Sequence, residues 1–250
     1  MARDAIAIVL GRAGSKGVPG KNLAPVAGKP CAQWTIEHAL ASERVGRVLV
    51  SSDSPELLAL ATSLGAHAHA RSPELATDSA RVDDAAREAL HAARDGGLAT
   101  DAPVVILYAN VPVRPPALTD RALALLGESG CDSVQSYARV GKHHPWWTAR
   151  LDEGGRVAPW EGEVLNHGVF RRQDLPPAFV PDGGVIALTQ RALVLEIAGV
   201  GAGPHAFFGL DRRGIETREG EVIDIDTPTD LLVADAVLRA HAGGASRADR

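Results

Sequence analysis

An α/β layered domain with a largely parallel sheet is the fold this sequence predicts, on three observations. Short apolar runs of strand length alternate with stretches of helical spacing along most of the chain. Parallel neighbours need a crossover connection, which a helix usually supplies, so that alternation reads as strand, helix, strand. The first apolar run, residues 5–10, breaks directly into a glycine-rich basic stretch, as a strand buried on both faces does where it leaves the core. With 250 residues, 45% of them apolar, the chain can bury a full core as one domain, 1–250.

After residues 5–10, Trp34, Ile36, Ala39 and Leu40 recur at helical spacing, and residues 48–50 supply a second strand ending in Ser51, Ser52 and Asp53. Ser54 before Pro55 reads as an N-cap with proline in the first helical position, starting a helix to residue 64. A third strand is expected at 66–70, a long helix at 78–95, a fourth strand at 104–107, a helix at 117–127 and a strand at 133–140. From about 142 to 181 the chain is rich in Trp, Pro, Gly, Arg and His without a steady period, which predicts a protruding insertion where dimer contacts are expected. Alternation resumes with strands at 185–188, 206–210 and 221–226 and a helix at 192–198. Thr227 and Pro228 open a last helix to about 241, and 243–250 is expected to be a flexible tail.

The formal charge of −5 disfavours a nucleic-acid backbone or an anionic membrane as partner. Charge runs the other way locally: Arg3, Arg12, Lys16, Lys21 and Lys29 face only Asp4 in the first thirty residues, which suits a small anionic ligand. Cys31 and Cys131 show neither a disulfide framework nor zinc-site spacing. With no apolar run near the roughly 20 residues of a membrane span, a soluble cytoplasmic protein is expected.

The stretch from Leu10 to Asn22 stands where ligands bind in open α/β sheets, beyond the carboxyl end of a strand. Gly11, Gly14, Gly17 and Gly20 let backbone N–H groups turn toward an anion, and Arg12, Lys16 and Lys21 can offset phosphate charge. Neither the Walker spacing nor the G-x-G-x-x-G fingerprint is present, and the same residues would also suit a solvated surface turn. Late in the chain, strand alternation puts Asp224 and Asp226 on one face, the hard-oxygen donors that Mg²⁺ takes alongside water and phosphate. An exposed strand face before the Thr227 cap is the alternative.

The first loop resembles the Ala-Arg-x-x-Ser-Lys-Gly-x-Pro-x-Lys-Asn signature of the acylneuraminate cytidylyltransferase family, with Gly11 in place of the usual alanine. Arg12, Ser15, Lys16, Gly17, Pro19, Lys21 and Asn22 fall on the pattern. The run from Arg71 to Asp78, the Ile-Asp-Ile-Asp-Thr ending at Thr227 and the Arg171-Arg-Gln-Asp-Leu-Pro176 segment are similar to further segments of the same family. The resemblance implies a three-layer, Rossmann-like fold of the nucleotide-diphospho-sugar transferase type, and transfer of CMP from CTP to the anomeric hydroxyl of an acidic nine-carbon sugar. Gly11, Arg12, Ser15, Lys16, Lys21, Asn22 and Arg71 would hold the nucleotide, Asp224 and Asp226 would hold Mg²⁺, and Lys21, Arg12 and Asp226 would carry catalysis. Tyr108, Arg114, Arg172, Gln173 and Asp182 would face the sugar. Tyr108 replaces a common glutamine and Asp182 a common asparagine, so the acceptor is open. A Kdo or sugar-1-phosphate nucleotidyltransferase and a non-catalytic nucleotide-binding scaffold are the alternatives.

Overall fold

The computed structural model describes residues 3–14 and 17–248, the last helix without side chains from residue 243. The strands are β1 (Ala5–Leu10), β2 (Pro25–Val26), β3 (Lys29–Pro30), β4 (Val45–Ser52), β5 (His67–Ala70), β6 (Val104–Tyr108), β7 (Ser133–Arg139), β8 (Ala149–Leu151), β9 (Val157–Pro159), β10 (Phe179–Leu188) and β11 (Arg212–Thr217). The helices are α1 (Cys31–Ala41), α2 (Pro55–Ser63), α3 (Val82–Asp95), α4 (Leu118–Ser129), α5 (Gln190–Leu193) and α6 (Pro228–Ala248). Seven strands form one sheet in the order β11-β7-β10-β6-β1-β4-β5. All pairings are parallel except those of β10, which runs against both β6 and β7.

β1 explains the layers. Its six residues are all buried, because Ala5, Ala7 and Val9 point into a cluster with α1, α2 and α4, while Ile6, Ile8 and Leu10 point into another with α3, Leu193, Phe207 and Phe208. A continuous apolar run is therefore two alternating faces, each covered by helices. A third cluster, including Val18, Val26, Cys31, Val113, Ile225 and Leu238, fastens α6 and the β2–β3 hairpin near the carboxyl ends of β1 and β6.

Three sequence expectations are corrected here. Residues 206–210 are no strand: Ala206–Phe208 is a 3-10 turn whose phenylalanines pack inward, and the edge strand follows at β11. Only Ile215 and Thr217 of β11 are buried, which is why its sequence lacks an apolar signature. Residues 221–226 make a single antiparallel bridge, Val113 to Ile223, rather than a strand. The helix expected at 192–198 stops at Leu193, and Leu195 has a φ of +64°. Between β7 and β10 the chain forms 3-10 turns and the small β8–β9 hairpin. There His144 is buried, its Nδ1 accepting from the backbone of Trp146 and its Nε2 lying 3.1 Å from the Pro176 carbonyl.

Candidate active site

The loop after β1 and the segment before α6 meet, although some 200 residues separate them. Lys21 Nζ donates to the Ile225 carbonyl at 2.9 Å and to Asp226 Oδ1 at 2.7 Å. The backbones are close as well: a Cβ on Gly17 would lie 2.0 Å from the Asp226 carbonyl oxygen, so only glycine allows the approach. Gly11 is less tightly constrained: a Cβ there would meet only side-chain atoms, the nearest being carbons of Leu57 at 2.7 Å and Ala109 at 2.9 Å. Asp53, at the end of β4, accepts from the backbone N–H of Ala13 at 2.7 Å and holds the start of the loop.

Asp224 and Asp226 stay together in spite of the missing strand, because Ile225 between them is buried and its N–H bonds the Asn110 carbonyl at 2.9 Å. Asn110 Nδ2 donates to Asp224 Oδ1. Burial first, and then the neighbouring charge of Asp226, push the Asp224 carboxyl up to about 6. Among the described residues no cluster of three or more His, Cys, Asp or Glu side chains is arranged to hold a metal. A pair of carboxylates whose charges repel, with hard oxygens only, nonetheless fits Mg²⁺, which usually keeps water or phosphate in most of its positions.

A cavity of about 200 Å³ opens beside this junction, lined by Leu10, Gly11, Arg12, Lys21, Asn22 and Arg71 together with residues from Leu75 to Ala85, Tyr108 and Asn110. Arg12 pairs with Asp78 across it. Arg71 donates to Ser51 through Nε and to the Ser51 carbonyl through Nη2 at 2.7 Å, and burial lowers its pKa. Asn22 donates through Nδ2 to the Arg12 carbonyl, while its Oδ1 is buried without a hydrogen-bond partner among the described residues. Such an acceptor is costly unless a ligand or water satisfies it. Gly11, Arg12, Lys21, Asn22 and Arg71 thus gather at one cavity; Ser15 and Lys16 lie outside the described residues.

The expected sugar-side residues do not gather. Tyr108, at the end of β6, lines both the first cavity and a neighbouring one of about 640 Å³, and burial raises its phenol to about 12. Arg114 is turned into the framework: it donates to Thr35 Oγ1 at 2.9 Å and to the carbonyls of Gly184 and Tyr108, and burial lowers its pKa to about 10. Asp182 accepts from Ser136, Thr217 and the Gly184 N–H, bracing β10 against β7 and β11. Arg172 and Gln173 line a separate cavity, where Arg172 pairs with Glu219 at 2.7 Å.

The larger cavity draws instead on residues that the sequence reading missed. They are Gln135 and Tyr137 of β7, Phe207 and Phe208 of the 3-10 turn, Arg212 and Arg213 of β11, and Arg81 beside α3. Asn110 was missed too, although its place just past a strand's carboxyl end was a usable signal.

The sequence profile described as cytidylyltransferase matches residues 6–144. N-acylneuraminate cytidylyltransferase A of Danio rerio is 32% identical over 67% of this chain and 41% of its own length. The N-acylneuraminate cytidylyltransferase of Streptococcus agalactiae serotype V is 28% identical over 91% of this chain and 51% of its own. The chain therefore spans about half the length, or less, of these curated relatives. Among solved structures, a CMP:2-keto-3-deoxy-manno-octonic acid synthetase complexed with CTP superposes with a TM-score of 0.69 at 18% identity, covering 95% of this chain and 99% of that one. The superposition shows a shared fold, and the profile match over more than half of its length shows that the chain belongs to the cytidylyltransferase family.

Proposed function

We propose that this protein transfers CMP from CTP to the anomeric hydroxyl of a nonulosonic acid, an N-acylneuraminate or a related nine-carbon acidic sugar, and releases pyrophosphate. The observation that carries the reading is the convergence of Lys21 with the Asp224–Asp226 pair beside two adjoining cavities. The smaller, polar cavity suits the nucleotide, and the orphaned Asn22 Oδ1 within it awaits a hydrogen-bond donor. The larger, with aromatic and guanidinium walls, suits an acidic acceptor.

Nucleotidyl transfer asks a protein mainly for positioning and charge compensation. Lys21, fixed through the Ile225 carbonyl, is the cation that would offset the charge of the departing pyrophosphate, together with Arg12, which lines the same cavity. Asp224 and Asp226 are the groups that would hold Mg²⁺, with Asn110 orienting the first of them. Held there, the ion would supply Lewis-acid polarisation of phosphate oxygens and a lowered pKa for the attacking hydroxyl.

A homodimer forms part of the proposal. Large apolar side chains stand exposed along the segment between β7 and β10 and its return strand, Leu151, Val164, Leu165, Phe170 and Phe179 among them. Since Arg172 and Gln173 do not line their own chain's larger cavity, a role on the sugar requires delivery to a partner's. The two buried free thiols suit a reducing cytoplasm.

The decisive assay incubates the protein with CTP, Mg²⁺ and a panel of nonulosonic acids and measures pyrophosphate for each. Release with one acid identifies the acceptor; silence across the panel defeats the proposal in favour of a non-catalytic nucleotide-binding protein. In the same assay Asp226→Asn should raise the Mg²⁺ needed for half-maximal rate by about tenfold, the loss of roughly one charge-assisted contact. An unchanged titration would remove the carboxylate pair as the metal site.

A further inference from the structure

The two cavities share four lining residues, Ala80, Arg81, Val82 and Tyr108, and Arg81 is the one that carries charge at neutral pH. Its guanidinium is held from two sides. Nε donates to Asp83 Oδ1 at 3.0 Å, and Nη2 donates both to Asp83 Oδ2 at 2.8 Å and to the Gly203 carbonyl at 3.0 Å. These bonds use every proton on Nε and Nη2 and leave the two on Nη1 without an acceptor among the described residues.

The support behind Arg81 is rigid. Asp83 is only 2% exposed and is shared with Arg87, whose Nη2 donates to the same Oδ2 at 3.0 Å. Arg87 is fastened in turn to Asp84 and to the Leu193 carbonyl. A planar fork fixed in this way before a ligand arrives loses little freedom on binding.

Charge decides what such a fork would meet. Arg81, Arg212 and Arg213 line the larger cavity, whose one carboxylate among the described residues, that of Asp83, is already bonded to two arginines. Arg212 is tied to the carbonyls of Gly209 and His205, and Arg213 to Asp211. An acidic acceptor must approach a nucleotide triphosphate, and two anions brought together out of bulk water repel strongly unless a cation stands between them. Arg81 stands in the shared wall.

Resting on the CMP-transfer reading, we infer that Arg81 is a specificity-determining residue of the acceptor side. It receives the carboxylate of the incoming acid on Nη1 and offsets that charge where the acid comes up against the nucleotide. Arg172 and Gln173, which line another cavity, leave this role open within the chain.

The test compares kcat/KM for an accepted nonulosonic acid with that for its carboxamide, in the wild-type protein, Arg81→Gln and Arg81→Lys. Because the acid-to-amide ratio is taken within one preparation, it does not depend on how much of a variant is folded. In the wild type the acid is preferred. Arg81→Gln should raise the KM for the acid about 10- to 100-fold and bring the ratio close to one, as loss of a charge-assisted contact does. Arg81→Lys, which keeps the charge but not the fork, should restore part of the ratio. Pyrophosphate release with an undiminished ratio in Arg81→Gln overturns the role of Arg81 alone. No release by the wild type with any acid overturns the CMP-transfer reading and this inference with it.

Discussion

The cavity of about 200 Å³ takes nearly all of its lining from two continuous stretches, 10–22 and 71–85, whereas the adjoining cavity of about 640 Å³ collects residues scattered between 80 and 213. The first is a loop and a helix approach folded over strand ends, so its residue types recur as a motif. The second exists only because β10 runs antiparallel between β6 and β7 and because β11 adds an edge beside β7. One cavity is written in local sequence and the other in topology. Chains that share the motif can therefore differ in what the second cavity accepts.

Breaking the motif-coded side should have the largest effect. Lys21→Ala removes a cation that is held at two points, and loss of a preorganised charge contact costs on the order of 10² or more in rate. Pyrophosphate release at saturating CTP measures it, with circular dichroism confirming the fold. A near-normal rate would show that Lys21 is only a tie between the first loop and the Ile225–Asp226 backbone.

The same contrast accounts for what the sequence made legible. Buried on both faces, β1 announced itself as a continuous apolar run, and the cap at Ser54 and Pro55 fixed the start of α2, whose N–H at Leu57 does bond Ser54. The basic loop could be placed because it follows that strand directly. Asp224 and Asp226 were paired by strand alternation, and they remain neighbours for a different reason: Ile225 buries its side chain while its N–H bonds the Asn110 carbonyl. Phe207 and Phe208 could not be assigned to a cavity, because apolar residues in sequence say that they are buried but not against what. Arg114 and Asp182 were expected at the sugar because the family resemblance placed them there, and nothing local in the sequence announces the framework bonds they make instead. Their partners, the Gly184 and Tyr108 carbonyls and the hydroxyls of Ser136 and Thr217, come from strands far apart in the chain.

Acid sensitivity offers a second way to separate the cavities from the frame around them. On α1, away from the lining of either cavity, His38 has its pKa lowered to about 3, first by burial and then by the charge of Arg114, and its Nε2 lies 2.8 Å from Thr119 Oγ1. An unfolded histidine titrates near 6.5, so between about pH 6.5 and 3 the unfolded chain binds the extra proton. Stability is thus lost as pH falls through that window, by about 2 kcal/mol between pH 7.5 and 5. His38→Gln should flatten the pH dependence of urea unfolding by about that amount over this range. If the variant loses stability in acid as steeply as the wild type does, the acid lability belongs to the carboxylates near the cavities.

The smallest expected effect sharpens the acceptor side. Asp182→Asn keeps an oxygen for Ser136 and for the Gly184 N–H, but turns an amide N–H₂ toward Thr217 Oγ1, where a carboxylate oxygen had accepted. The threonine hydroxyl can donate instead to the Tyr137 carbonyl, 3.3 Å away, so the network survives with a weaker member. Arg114 loses a nearby countercharge as well. Together these changes should cost about 1 kcal/mol, a fall of roughly 2–4 °C in Tm for a chain of this size, with the acceptor KM within about twofold of wild type. Calorimetry and steady-state kinetics on one preparation read both. A KM shift of tenfold at unchanged Tm would mean that Asp182 touches the sugar, extending the topology-coded cavity past Pro181 into the β10 bulge.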